Sequence, residues 1–367
     1  MSLPADWFSP SGSILAVAPM VGQCDLPFRT LTIAMGATIV YSEMLLASEF
    51  CKSDGEGEQY RRQAFGRIVM PEQKVNVQFA SNDPGEFLEA ALKAQELGAA
   101  AVDLNLGCPQ RRAKEHHYGA YMTDRVDWQL CCDVISRASS NERLTIPVTV
   151  KIRLQKTLEE TVEFATMLRN SGASLIAVHG RHRGSEDRRR DGSADLDAIA
   201  AVVDALKPFP VLTNGNVRSL EDVTNNLKYT KAAGIMVAEE LLRDPALFAR
   251  AGARADGEAE VPQRGVELVE EYCRVCESCG LKLDDGSRNG KNGNQIRGAA
   301  GEGEEDFERF SVWWTNAESV KGHLKNMLSL GTKGGSKGDL TSRRTFKKAE
   351  GADGAIHAFR RRFSINK

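Results

Sequence analysis

The sequence of 367 residues lacks a long apolar run, since nowhere do eighteen apolar residues follow one another, whereas a membrane-spanning helix needs about 20. Its first residues, MSLPADWFSPSGS, lack the basic stretch and the apolar stretch that make up a secretory leader. We therefore expect a protein that is neither secreted nor membrane-spanning and that is found in the cytoplasm, the nucleus or both.

Two further absences narrow the chemistry. No GxGxxG motif follows a candidate strand, so we expect no dedicated dinucleotide-binding fold. The chain has eight cysteines but no leader, so we expect the cysteines to stay reduced. Any cysteine that matters should then matter for its own chemistry.

The chain also lacks an overall charge of one sign, because its formal net charge is −2. The charge is unevenly distributed, however. Residues 321–367 hold twelve Lys and Arg against three Asp and Glu, a balance of +9, so the preceding part carries −11. A basic tail attached to an acidic body suggests an anionic partner, although a solvated, disordered tail is the alternative.

Eight short β-branched runs alternate with amphipathic helical stretches between residues 14 and 240. The runs lie at 14–20, 38–44, 75–81, 101–107, 148–154, 175–181, 210–216 and 234–240. Their nearly continuous apolar character indicates parallel strands buried on both faces, and a crossover follows each of the first seven. We predict a (β/α)8 barrel of the α/β class over 14–250, followed by a small C-terminal helical domain. A doubly wound sheet is the alternative for the barrel.

The composition changes after residue 250. We predict a linker at 251–265, helical segments within 266–331, a flexible Gly-rich insertion at 281–306 and a basic, disordered tail at 332–367. Cys273, Cys276 and Cys279 form a CxxCxxC spacing that can hold zinc or an iron–sulfur cluster. No fourth cysteine follows nearby, so we expect a packed helix without metal.

Barrel active sites lie where the strands end, so polar residues should gather there. Lys151 and His179 end neighbouring strands, and a positive charge beside the N1 edge of a flavin would favour its anionic reduced form. An amide such as Gln78 can pair with the donor and acceptor edge of the same ring. Phosphate sites in barrels form at the last two strand ends, here Asn214 to Asn216 and Ala238 with Glu239. Together these residues suggest a flavin mononucleotide pocket.

Five blocks of the sequence resemble the signature blocks of the tRNA dihydrouridine synthases, most closely the eukaryotic branch that acts on positions 16 and 17 of the tRNA D-loop. They are APMVGQCDLPFR (18–29), LNLGCPQRRAKEHHYGAYM (104–122), VKIRL (150–154), VHGR (178–181) and TNGNV (213–217). The resemblance covers about residues 14–250 and is weaker beyond 265, where the family has a helical RNA-binding domain.

The resemblance implies bound FMN, a catalytic cysteine at Cys108 and NADPH or NADH as a reductant that visits the flavin and leaves. It implies no metal, and the sequence gives no sign of an obligate protein partner. The residues implied to hold FMN are Ala18, Pro19, Met20, Val21, Gln78, Lys151, His179, Asn214, Gly215, Asn216, Ala238 and Glu239.

A cysteine suits this reaction for a chemical reason. Reduction of the uracil C5=C6 bond needs a hydride at C6 and a proton at C5 from the opposite face of the ring. A thiol with an ordinary pKa of about 8.5 is mostly protonated near pH 7 and can donate that proton. Strong electropositive activation would remove it. We therefore expect Cys108 to act as an acid and not as a nucleophile.

A uracil within folded tRNA must be flipped out to reach a barrel mouth. We expect Asn105 and Arg181 to bind the base, together with Arg153 and Lys114 as further substrate contacts. Phosphate contacts are expected from Arg111, Arg112, Arg183 and Arg188 to Arg190. The alternatives are an FMN barrel that reduces a free pyrimidine, as dihydroorotate dehydrogenases do, and an RNA-binding barrel that has lost catalysis.

Overall fold

A sheet of nine parallel strands forms the centre of the structure. The computed structural model describes residues 3–58, 60, 74–184, 192–250, 265–278, 323, 326 and 327. The strands are β1 (Ile14–Val17), β2 (Ile39–Tyr41), β3 (Leu45–Leu46), β4 (Val75–Ala80), β5 (Ala101–Leu106), β6 (Val148–Leu154), β7 (Leu175–His182), β8 (Val211–Asn214) and β9 (Gly234–Val237).

The sheet closes on itself. Strand β1 pairs with both β2 and β9, and β2 pairs with β4, so every strand of the ring except the short β3 has a partner on each side. The remaining neighbours follow in chain order from β4 to β9. An open, doubly wound sheet would leave two edges, so the predicted (β/α)8 barrel is confirmed.

The side chains inside the barrel follow from the two-residue period of a strand. Ile14, Ile39, Ala101 and Leu175, each the first residue of its strand, pack with Trp7 in one buried cluster. Trp7 belongs to a short 3-10 helix before β1 and closes the amino end of the barrel. Residues two and four positions after Ala101 on β5 and after Leu175 on β7 therefore also face the interior and lie progressively nearer the carboxyl end, which we call the barrel mouth.

Helices surround the ring and bury its outer face. They are α1 (Leu26–Ala34), α2 (Ala47–Cys51), α3 (Pro84–Glu96), α4 (Arg111–Glu115), α5 (Trp128–Ser139), α6 (Leu158–Asn170), α7 (Leu196–Leu206), α8 (Leu220–Thr230), α9 (Glu239–Arg243), α10 (Leu247–Arg250) and α11 (Gly265–Ser278). Asp83 and Thr157 cap α3 and α6 by accepting backbone N–H groups with their side chains.

Four predicted strands are shorter than the sequence suggests by three or more residues, and the first of them, 14–20, ends at Val17. The predicted strand 38–44 ends at Tyr41, because the Gln78 N–H donates to the Ser42 hydroxyl and not to a strand carbonyl. A separate two-residue strand, β3, then pairs with the end of β4. The predicted strand 210–216 ends at Asn214, since Gly215 and Asn216 have positive φ angles. The predicted strand 234–240 ends at Val237, and helix α9 begins at Glu239.

Part of the C-terminal region packs against the barrel. Helix α11 contacts α1, and buried Tyr272 of α11 lies beside His323, which stacks on Phe28 of α1 at 4.6 Å. Cys273 and Cys276 are buried in the same helix. Cys279, the linker residues 251–264, the insertion and the tail lie outside the described residues, so the division into domains stays a prediction. No helix within the described ranges is long and apolar enough to cross a membrane.

Candidate active site at the barrel mouth

A hydrogen-bonded series of side chains crosses the interior of the barrel below the mouth. The Cys108 N–H donates to Oδ1 of Asn105 at 2.9 Å, and Nδ2 of Asn105 donates to Oε1 of Gln78 at 2.7 Å. Nε2 of Gln78 in turn donates to Oδ2 of Asp103 at 2.8 Å. We call these four residues the amide network. It brings together three residues predicted from the sequence and a fourth, Asp103, that was not predicted.

Asp103 is fully buried on strand β5, two positions before Asn105. Its other oxygen accepts from the Thr149 hydroxyl at 2.6 Å. Burial raises the pKa of the Asp103 carboxyl to about 6, against the opposing effects of the Thr149 and Gln78 hydrogen bonds and the Lys151 charge. A signal for this residue existed in the sequence, because AVDLNLG places two polar residues on the same face of an otherwise apolar strand.

Lys151 pairs in register with Asn105 and also faces the mouth. Burial and the neighbouring Arg153 guanidinium lower the pKa of Lys151 to about 8, while Asp103 and Cys108 act in the opposite direction. Within the part of the chain that the structure describes, its ammonium has no hydrogen-bond partner. The mouth therefore holds a poorly solvated cation within electrostatic range of the Cys108 thiol.

The loop that carries Cys108 is fixed from two sides. The Arg153 guanidinium donates to the Gly107 carbonyl at 2.8 Å and to the His182 carbonyl at 3.1 Å. The Ala120 N–H donates to the Cys108 carbonyl at 3.1 Å. Arg153 was predicted to contact substrate, and the structure places its guanidinium on backbone carbonyls beside the half-buried Cys108.

Gly119 makes the closest approach to Cys108. Its φ of +64° lies in the left-handed region, and a Cβ there would stand 2.9 Å from the Cys108 carbonyl oxygen and 3.0 Å from the Cys108 Cβ. A side chain at 119 would therefore push against the candidate acid. The glycine is visible in the sequence as part of YGA, but its contact with Cys108 arises only in the folded loop.

His179, Arg181 and Asn216 form a second cluster, at the ends of β7 and β8. The Arg181 guanidinium donates to Nε2 of His179 at 2.9 Å and to Oδ1 of Asn216 at 3.3 Å. Because arginine can only donate, Nε2 of His179 must carry a lone pair, which places the ring proton on Nδ1. Leu154 pairs with His182 after Arg153 pairs with His179, so a β-bulge re-aims Arg181 at the rim.

In the predicted phosphate region, the backbone at Gly215 lies close to Ala194. Gly215 has a φ of +122°, and a Cβ there would stand 2.6 Å from that of Ala194. The Asn216 amide both donates to and accepts from the Ala194 backbone, at 2.6 and 2.7 Å. Asn214 donates to the Met236 carbonyl. Ala238 precedes helix α9, at whose start Glu239 is exposed.

Residues 18–21, which were predicted to hold the cofactor, follow β1 at the mouth. Their exposure to solvent increases along the segment. Ala18 is buried, Pro19 and Met20 are half-buried, and Val21 is 60% exposed. Cys24 holds the segment, since its thiol donates to the Ala18 carbonyl and accepts the Met20 N–H. Burial raises the pKa of Cys24 to about 12, so this second thiol at the mouth stays protonated.

The basic residues predicted to meet RNA fall into different groups. Arg111, Arg112 and Lys114 are exposed on the short helix α4 above the Cys108 loop. Arg183 is different, because its guanidinium donates to the Ala120 carbonyl and to Asp124 and lies 5.0 Å from the Tyr121 ring centre. Arg183 thus joins two loops, and its contact with RNA phosphates stays a prediction. The predicted contacts at 188–190 lie outside the described residues.

A family model described as dihydrouridine synthase matches residues 16–330 of the chain. The chain belongs to the dihydrouridine synthase family. The family resemblance predicted from the five sequence blocks is thereby confirmed.

Individual relatives support the assignment to this family. A mouse protein named tRNA-dihydrouridine(16/17) synthase NAD(P)(+)-like is 38% identical over 262 residues, which are 71% of this chain and 52% of the mouse protein. A human protein named tRNA-dihydrouridine(20a/20b) synthase NAD(P)+-like is 32% identical over 249 residues, 67% of this chain and 74% of the human protein. The chain thus spans about half the length of its mouse relative.

A solved structure shares the fold. The complex of 2-naphthoyl-CoA reductase with 2-naphthoyl-CoA superposes with a TM-score of 0.51 at 9% identity, covering 65% of this chain and 49% of the reductase. At this identity the likeness concerns the barrel alone. The chemistry of this dihydrouridine synthase family member depends on its own mouth residues.

Proposed function

We propose that the chain reduces the C5=C6 bond of uridines in the D-loop of tRNA to give dihydrouridine, with FMN as cofactor and NADPH or NADH as reductant. One observation carries the proposal: Asn105, Cys108 and Lys151 meet at one barrel mouth, where an amide, a thiol and a cation lie within reach of a single flat ring. The names of the relatives support the same substrate.

The residues present fit an FMN group. Lys151 is a half-buried cation without a hydrogen-bond partner among the described residues, which suits an anionic or acceptor edge of a flavin. Gln78 is fully buried and uses its oxygen and one N–H within the amide network, so in this conformation it supports Asn105 beneath the ring. The close backbone turn at Gly215 suits the phosphate. When bound and reduced, the flavin supplies the hydride that uracil C6 receives.

Cys108 supplies the proton at C5 in this proposal. The thiol belongs to a loop whose backbone is held by Asn105, Arg153 and Ala120, so its approach to a base is fixed. Asn105 keeps one N–H beyond the amide network, and we assign this donor to a carbonyl oxygen of the uracil. Arg181 lies at the rim beside His179 and is assigned to the base or its phosphate.

Transfer RNA is favoured over a free pyrimidine by the exposed cations above the mouth. Arg111, Arg112 and Lys114 project from helix α4, next to the loop that carries Cys108. Such residues neutralise phosphates and make binding dependent on salt, a property that an enzyme of a small pyrimidine does not need. We assign positions 16 and 17 of the D-loop as targets, because the mouse relative is named for them.

The experiment incubates purified protein with FMN, NADPH or NADH, and tRNA from cells that lack dihydrouridine. Mass spectrometry of the nucleosides measures dihydrouridine, and mapping of the product locates it. We expect formation at positions 16 and 17 and none on free uracil or orotate. Protein that binds no FMN, or that reduces orotate and leaves tRNA unchanged, would overturn the proposal.

The variant Cys108→Ala tests the acid. We expect it to keep FMN and tRNA binding while dihydrouridine formation falls by about 100-fold or more, the size typical of general acid catalysis. Cys132→Ala is the matched control, because this thiol is buried on helix α5 in the outer layer. Equal turnover in the two variants would refute the role of Cys108.

A further inference from the structure

The hydrogen bonds of the amide network all run in one direction. At one end, the Gly107 and Cys108 N–H groups donate to Oδ1 of Asn105 at 3.0 and 2.9 Å, and a backbone N–H can only donate. At the other end, the Asp103 carboxylate accepts from Gln78 and, when ionised, can only accept. Two fixed ends leave one orientation for each amide between them.

We propose that Asp103 is a positioning residue, whose negative charge fixes the amide orientations of Gln78 and Asn105 and thereby the donor that Asn105 presents at the mouth. The inference rests on the proposed function for its catalytic meaning. It goes beyond that function because Asp103 lies below the mouth and acts through two other residues.

A neutral residue at 103 would remove one of the two fixed ends and leave only the Gly107 and Cys108 N–H groups to hold the direction. A protonated carboxyl or a carboxamide can donate to Oε1 of Gln78, so that Gln78 and then Asn105 can both turn over. In a molecule where both amides have turned over, Asn105 would face the Gly107 and Cys108 N–H groups with its own NH2, and these two donors would lose the one acceptor that they share. The base would also meet an acceptor where it needs a donor.

The surroundings of Asp103 keep it ionised at neutral pH. Its carboxyl pKa of about 6 reflects burial, opposed by hydrogen bonds and by a cation. The groups that face it are Thr149 and Lys151 on β6, Gln78 on β4 and Tyr41 on β2, whose own pKa is raised by burial and by the Asp103 charge. As the pH falls through about 6, the constraint from Asp103 should therefore be lost, and the share of molecules with turned amides should rise.

The first test uses Asp103→Asn and follows the side-chain amide signals of Gln78 and Asn105 by NMR in FMN-loaded protein. In the wild type we expect both signals to titrate with a midpoint near pH 6, and in Asp103→Asn we expect no such titration. Asp244→Asn is the matched control, because Asp244 is a buried carboxylate that pairs with Arg250 outside the barrel interior. Wild-type amide signals that stay unchanged while the Asp103 carboxyl titrates would overturn the proposal.

The second readout is a single-turnover rate with saturating tRNA and reduced flavin. We expect the wild-type rate to fall below about pH 6, and Asp103→Asn to be about 100-fold slower at pH 7.5 with unchanged FMN affinity and no inflection near pH 6. A merely structural carboxylate would lower folded protein or FMN content and would leave the inflection in place, which would refute the positioning role.

Thr149→Val keeps the inference testable if Asp103→Asn fails to fold. Thr149 donates to Asp103 but not to Gln78, so this nearly isosteric change removes one bond that lowers the Asp103 pKa and keeps the amide network. We expect the NMR midpoint to move above pH 6, whereas an unmoved midpoint would overturn the assignment. If no variant reduces tRNA, the proposed function fails while the amide titration still decides the role of Asp103.

Discussion

Gly119→Ala is the sharpest test of how the fold places Cys108. Two costs act at this position. An alanine at a φ of +64° pays about 1–2 kcal/mol for the left-handed conformation. Its Cβ must also separate from the Cys108 carbonyl oxygen, which would stand at only 2.9 Å, and overpacking of this kind costs about 1–3 kcal/mol. The loop therefore has to shift, and Cys108 shifts with it.

Gly12→Ala separates the two costs. Gly12 has a φ of +82°, also in the left-handed region, but a Cβ there meets nothing within 4 Å. The control thus carries the backbone strain without the collision. We expect both variants to lose stability, and Gly119→Ala to lose about 1–3 kcal/mol more than Gly12→Ala.

The decisive assay is the single-turnover rate of dihydrouridine formation in protein that is folded and loaded with FMN. A displacement of Cys108 by a fraction of an ångström to 1 Å should lower this rate by about 10- to 100-fold, because proton transfer depends on distance. Gly12→Ala should keep the wild-type rate. Equal rates and equal stability losses in the two variants would show that contact between residues 119 and 108 has no bearing on the acid.

Two further predictions follow from the loop contacts and from Lys151. Arg183→Met removes the donors to the Ala120 carbonyl and to Asp124, so hydrogen exchange over 119–124 should quicken and turnover should fall by about 10-fold; unchanged exchange would contradict the contact between the loops. Lys151 has a pKa of about 8 in the folded chain against an ordinary value of 10.5, so between these pH values the unfolded state binds more protons and stability should rise with pH. Compared with Lys151→Met, the wild type without added FMN should gain free energy of unfolding from pH 8 to 10, and parallel curves would refute the lowered pKa.

Much of the site could be predicted because barrel chemistry follows strand ends. Gln78, Asn105, Lys151 and His179 each lie near the carboxyl end of a strand, and the two-residue period of those strands turns them all into the interior. Strand ends were predicted less well. The Ser42 hydroxyl accepts a hydrogen bond that a strand carbonyl would otherwise accept, and no local sequence pattern predicts this exchange.

Partners that are distant in sequence could not be predicted. Arg183 and Asp124 lie 59 positions apart. From the sequence alone, an arginine that is exposed to solvent cannot be distinguished from one that joins two loops. Asp103 was passed over because a single acidic residue in an apolar strand has no evident partner until the neighbouring strand supplies Gln78. Both pairings join residues that are distant in the sequence and that meet only in the folded chain.

The sequence by itself determined the strands, the residue types at their ends and the family to which the chain belongs, because hydrophobic period and motif spacing are local properties. Only the tertiary structure decided the direction of the amide network, the hydrogen bonds that hold the Cys108 loop and the burial of Lys151 at the mouth. Hydrogen bonds are directional and short, so their pairing depends on the register between strands, which closure of the barrel fixes.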